Sequence, residues 1–62
     1  MDLESDLRLL RGIVHMAVEV ADEMGEQFVN ESGEVPEEFM RVRSALVSAR
    51  VELDRMIKEE EV

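Results

Sequence analysis

Between Leu3 and Phe28 an apolar residue recurs at steps of alternately four and three positions, and this repeat constrains the fold more than any other feature. The repeat consists of Leu3, Leu7, Leu10, Val14, Ala17, Ala21, Met24 and Phe28. Such spacing keeps one face of an α-helix against a neighbouring helix, whereas a strand would alternate every two residues. The sequence therefore predicts a long first helix at about residues 2–31, with Asp2 as its N-cap.

A short polar break separates this helix from a second apolar repeat of the same period. Gly33 suits a left-handed C-terminal cap, and Pro36 suits the first turn of a following helix. The second repeat consists of Phe39, Val42, Leu46, Ala49, Leu53 and Met56. We therefore predict a loop at about 32–35, a second helix at about 36–60, and an all-α fold. The expected architecture is an antiparallel two-helix hairpin that forms one domain over residues 1–62.

The two repeats share one period, so they can pack against each other along their whole length. One register places Leu7 beside Met56 and Met24 beside Phe39, in layers that set small residues against large ones. A register shifted by one heptad fits the same pattern, so the sequence leaves the choice between them open.

Further apolar residues lie outside both repeats, and a two-helix hairpin cannot cover all of them. Those assigned to a dimer interface are Leu9, Ile13, Met16, Val20, Met40, Val47 and Val51; Val18 and Ile57 also lie outside the repeats. A chain of 62 residues without cysteine has a small core and no disulfide to reinforce it. Monomers rarely expose large contiguous apolar patches, so we predict a homodimeric four-helix bundle.

The charge of the chain is strongly negative and unevenly distributed. Sixteen acidic residues against seven basic ones give a net charge of -9, and residues 12–40 contain no Lys or Arg. This charge disfavours direct binding to nucleic acid and to anionic membranes, and it favours a basic partner protein. Glu is also a good helix former, so the acids equally fit a solvated helix face. The candidate partner-binding residues are Glu19, Asp22, Glu23 and Glu26.

No residue set in the sequence indicates catalysis. A Ser-His-Asp set, a glycine-rich phosphate loop and a zinc signature are all missing, so we expect neither an enzyme nor a cofactor. His15 and Glu19 lie one helical turn apart and could together contact a divalent cation. A lone histidine on a solvated acidic face is the simpler interpretation, and the sequence predicts no metal site.

Two functional hypotheses follow from these features. In the first, the chain is an interaction module that dimerises and presents its acidic loop end, or an apolar groove, to a basic or helical protein. In the second, it is an acidic regulator that imitates nucleic-acid charge and blocks the basic groove of a nucleic-acid-binding protein. The acidic start of the chain, the lack of cysteine and the short apolar runs lead us to expect a cytoplasmic location without membrane insertion.

Overall fold

The computed structural model describes residues 2–61, and the side chains of residues 2–59, as an antiparallel hairpin of two α-helices. The first, α1, spans Leu3–Ser32, and the second, α2, spans Glu37–Glu61. The two helices lie side by side in an elongated body of 46 × 15 × 15 Å. The predicted all-α hairpin is therefore confirmed.

Local contacts explain why α1 begins and ends where it does. Asp2 has an extended backbone, and its carboxylate accepts a hydrogen bond of 3.3 Å from the backbone N–H of Glu4. At the other end Gly33 adopts the left-handed conformation, with φ of 79°. Its N–H donates to the carbonyl of Val29 at 2.9 Å. These are the two helix caps that the sequence predicted.

The loop between the helices is short, and Pro36 ends it. The carbonyl of Pro36 accepts a hydrogen bond of 3.1 Å from the N–H of Met40, and α2 begins with Glu37. Pro36 therefore occupies the capping position, one residue before the first-turn position that we expected. Glu37 and Glu38 follow in the first turn, where their charge interacts favourably with the helix dipole.

The core is narrow and runs along the contact between α1 and α2. Near the chain ends Leu7 belongs to a cluster against which Val14 packs. Near the loop Phe28 and Phe39 pack together with ring centroids 5.2 Å apart. The buried residues of the described chain are Leu7, Val18, Ala21, Leu53 and Ile57.

The contact between the helices uses a different face from the one that the repeats predicted. Half of each repeat faces the other helix as expected; the other half is replaced by the residue that follows it. In α1 the replacing residues are Arg11, Val18 and Gly25, and in α2 they are Arg43, Arg50 and Ile57. Leu3 and Met56, which were assigned to the contact, are 66% and 46% exposed. The predicted contact face is therefore wrong by part of a turn.

Helix geometry explains this difference. One residue along an α-helix corresponds to a rotation of about 100° about its axis. Because only half of the contact residues are shifted by one position, the mean direction of the contact turns by about 50° from the centre of the repeat. The shift has the same direction in both helices, and because the helices are antiparallel it uncovers the same side of the hairpin. In consequence Leu7 packs with Ile57 rather than Met56, and Gly25 rather than Met24 lies against Phe39.

Candidate interaction surfaces

One side of the hairpin carries polar contacts between the two helices, and we call it the charged side. Arg43 Nε donates to Asp22 Oδ1 at 2.6 Å, and Arg11 donates to Asp54 Oδ1 at 3.4 Å. All four side chains are about half exposed. Exposed ion pairs of this kind contribute about 0–1 kcal/mol each. Their main effect is to favour this alignment of the helices, and packing supplies most of the stability.

His15 lies on the charged side and contacts both helices. Its Nδ1 lies 3.4 Å from a guanidinium nitrogen of Arg50, and its Nε2 lies 3.0 Å from a carboxylate oxygen of Glu19. Within the described residues no group of three or more His, Asp or Glu side chains could hold a metal ion. The guanidinium also places a positive charge where a cation would approach.

The opposite side of the hairpin is apolar, and we call it the apolar side. It consists of Leu3, Leu10, Ala17 and Met24 from α1 with Val42, Ala49 and Met56 from α2. The larger members are all at least 40% exposed, and Ile13 and Val20 extend the surface around α1. In the described part of the chain, neither helix is long and apolar enough to cross a membrane.

The hairpin also exposes more surface than a compact chain of its mass. Its accessible surface is 4960 Å². A folded monomer of 7.1 kDa is expected to expose about 4,100 Å². The excess of about 900 Å² follows from the elongated shape of 46 × 15 × 15 Å, which leaves most of the circumference of each helix uncovered.

The structure divides the seven predicted dimer-interface residues between different sides of the hairpin. Ile13 and Val20 adjoin the apolar side, and Leu9 and Met16 lie on the outer face of α1. The remaining three, Met40, Val47 and Val51, lie on or beside the charged side of α2. One flat partner surface does not cover both groups. Val42 and Met56, the exposed residues of α2 on the apolar side, were not predicted for the dimer interface because the repeat assigned them to the contact between the helices.

The charged side widens near the loop into an open groove, which we call the loop-end groove. Its volume is about 720 Å³. Val29, Val35, Phe39 and Met40 supply its apolar lining. Gly25 also lines the groove, and a Cβ atom at this position would make ordinary contact with the ring of Phe39 at 3.8 Å. An apolar groove between the helices was expected from the sequence, but the residues that line it were not predicted.

The four predicted partner-binding acids have different surroundings. Asp22 and Glu26 line the loop-end groove, and Asp22 is paired with Arg43. Glu19 contacts His15, whereas Glu23 lies outside the groove on the exposed outer face of α1. Glu19, Asp22 and Glu26 therefore share the charged side, and two of them, Asp22 and Glu26, line the groove.

Comparisons with protein-family models, curated proteins and solved structures find no match. They supply no related site or partner. The apolar side and the loop-end groove are therefore the features on which a functional proposal can be based.

Proposed function

We propose that this chain is a protein–protein interaction module that forms a homodimeric four-helix bundle through its apolar side. The supporting observation is that both helices turn exposed apolar residues toward the same side of the hairpin. A second copy presents the same surface, and a two-fold axis makes such a surface self-complementary. Covering it would extend the small core that one hairpin forms.

The orientation of the two repeats supports this architecture. In a four-helix bundle each helix has two adjacent neighbours in directions about 90° apart, so the bundle centre lies about 45° from either one. The observed contact is rotated by about 50° from the centre of the repeat. The apolar repeats would therefore point to the centre of the bundle, with the other helix on one flank and the second copy on the other.

The charge distribution supports an arrangement in which the two loop ends lie at opposite ends of the bundle. Residues 12–40 carry eight of the nine net negative charges, and the remaining residues are nearly neutral. Two loop ends placed side by side would repel each other. The opposite arrangement leaves one acidic end free at each end of the dimer, available to a basic protein partner.

The distribution of acids supports an interaction module more than the alternative acidic regulator. A protein that imitates nucleic acid needs a row of free carboxylates on one face. Here Asp22 is paired with Arg43, Glu19 contacts His15, and Glu23 lies on a different face. The net charge of -9 remains the observation that supports the alternative.

Light scattering after size-exclusion chromatography tests the dimer with two matched variants. Val42→Lys adds a charge to the apolar side, and Val51→Lys adds the same charge to the same helix outside it. These valines are 54% and 47% exposed. We expect about 14 kDa for the unmodified chain, twice the 7.1 kDa of one copy. Val42→Lys should dissociate the dimer, because a buried unpaired charge is costly, whereas Val51→Lys should leave it intact.

A dissociated Val42→Lys chain supports the proposal whether or not it keeps its helical circular dichroism, provided that Val51→Lys stays dimeric. An unmodified chain that is monomeric at about 100 µM would contradict the proposal, because its dissociation constant would then lie above about 100 µM, an association weaker than about 5.5 kcal/mol. Dissociation by Val51→Lys alone would place the interface elsewhere.

A further inference from the structure

The loop-end groove remains open in the proposed dimer. It lies on the charged side, between α1 and α2, whereas the dimer would form through the apolar side. Val29 and Met40 of the groove are 52% and 57% exposed. The groove is therefore accessible to a partner other than a second copy.

The free charge around the groove is negative. Arg43 is the basic residue of the lining, and Asp22 neutralises its guanidinium at 2.6 Å. Glu26 also lines the groove and has no hydrogen-bond or ion-pair partner in the described part of the chain. The surrounding segment, residues 12–40, contributes eight acids and no Lys or Arg. An occupant of this groove therefore meets apolar side chains at its centre and carboxylates at its edge.

We propose that the loop-end groove binds a helical segment of a partner protein in which an apolar side chain is flanked by Lys or Arg. The proposal rests on the interaction-module function and names the class of partner. The apolar side chain would pack on Phe39 and Met40, and methionine adapts its shape to different side chains. The basic residues would contact Glu26 and the acidic loop end, where the field attracts them.

Other occupants fit these observations less well. A second copy carries basic residues beside apolar ones at 8–11 and 55–58. Three of these cations, Arg8, Arg11 and Arg55, already contact carboxylates of their own hairpin, so they are less available to the groove than the free cations of a basic partner. Phosphate-bearing ligands carry the same sign of charge as the groove and would be repelled. The groove lies along about two and a half turns of α1, from Ala21 to Asn30, or roughly 13 Å. That length suits one or two turns of a bound helix, a common mode of peptide recognition.

A titration with a model peptide tests the proposal. The probe is an amidated helical peptide of Leu and Lys, and a second peptide replaces its Leu residues by Ser. Each is added to the full chain labelled with ¹⁵N. We expect the Leu peptide to shift the amide signals of Gly25, Val29 and Met40, and the Ser peptide to bind at least about tenfold more weakly. Equal binding of the two peptides would overturn the proposal, because charge alone would then explain the attraction.

Two pairs of variants locate the site. Met40→Ser should weaken binding of the Leu peptide about fivefold or more, whereas Val51→Ser, an exposed valine outside the groove, should leave it unchanged. Glu26→Gln should weaken binding and lower its salt dependence. Glu23→Gln removes the same charge from the same helix outside the groove and should have an effect below about twofold. Equal effects of Glu23→Gln and Glu26→Gln would overturn the proposal.

The Val42→Lys variant separates this proposal from that of the dimer. A monomeric, helical Val42→Lys chain that binds the Leu peptide as the unmodified chain does would support the groove independently of dimerisation. A dimeric chain whose groove signals stay unchanged on addition of the Leu peptide would overturn the groove proposal and leave the dimer standing. Binding by a chain that is monomeric without any substitution would support the groove and contradict the dimer.

Discussion

Three glycines show how differently the same residue contributes to a helical hairpin. Gly33 has a φ of 79° and ends α1, so its conformation favours glycine over residues with a Cβ atom. Gly25 faces Phe39 in the loop-end groove, where a Cβ atom would make ordinary contact with the ring at 3.8 Å. Gly12 has open space around it within the hairpin. Its presence in the middle of α1 has no explanation in the contacts of a single chain.

Substitution of two of these glycines by alanine should change stability in opposite directions. Gly12→Ala should raise the free energy of unfolding by about 0.5–1 kcal/mol, because alanine favours the helix and meets no atom there. Gly33→Ala should lower it by about 1 kcal/mol, because alanine is strained at this positive φ. Urea denaturation followed by circular dichroism measures both changes. A destabilising Gly12→Ala would show that another molecule approaches α1 closely at that point.

The elements of this fold follow from local sequence signals, whereas their contact does not. Asp2 and Gly33 act over one turn, so each helix end could be predicted from the residues beside it. The apolar repeat instead marks the whole face that a helix can bury against all of its neighbours, and the contact with a single neighbouring helix covers only part of that face. Val18 and Ile57 entered the core for this reason, although they lie outside the repeats. The apolar residues beside each repeat make the apolar face wider than one helix contact needs, and this width indicated that the contact could lie to one side of the repeat. The loop-end groove is lined jointly by residues of α1, the loop and α2, and a repeat within one helix does not record such a combination.

The rotated contact between α1 and α2 predicts an unusual order of mutational effects at two adjacent residues. Ile57→Val removes one carbon from a buried side chain and should cost about 1 kcal/mol. Met56→Ala removes three heavy atoms from a half-exposed side chain and should cost less, since alanine also favours the helix. Urea denaturation of both substitutions in the Val42→Lys background avoids a contribution from the dimer. A larger cost for Met56→Ala would favour the contact face that the repeats predicted.

At the scale of the whole molecule, charge and apolar surface are separated in different directions. Across the hairpin, the exposed apolar residues of the two repeats lie on the apolar side and the ion pairs between the helices lie on the charged side. Along the hairpin, the net negative charge lies near the loop and the chain ends are nearly neutral. The proposed dimer uses the first separation for its interface and the second for its orientation. A parallel dimer would bury the same apolar surface but would bring two strongly negative loop ends together. The antiparallel orientation of the two hairpins is therefore predicted from charge repulsion alone, whereas the association itself is predicted from apolar packing.

A single spin label in the loop measures this orientation. The chain has no cysteine, so Glu34→Cys provides one labelling site in an exposed loop position. If the loop ends lie at opposite ends, two labels should be about 40 Å or more apart, since a helix of 30 residues is about 45 Å long. A parallel dimer would place them within roughly 30 Å, because the hairpin is only 15 Å wide.

Salt gives a second readout: between about 50 mM and about 500 mM NaCl, a parallel dimer should become much tighter as repulsion is screened. The proposed dimer should change little, so a short distance together with strong tightening in salt would contradict the orientation.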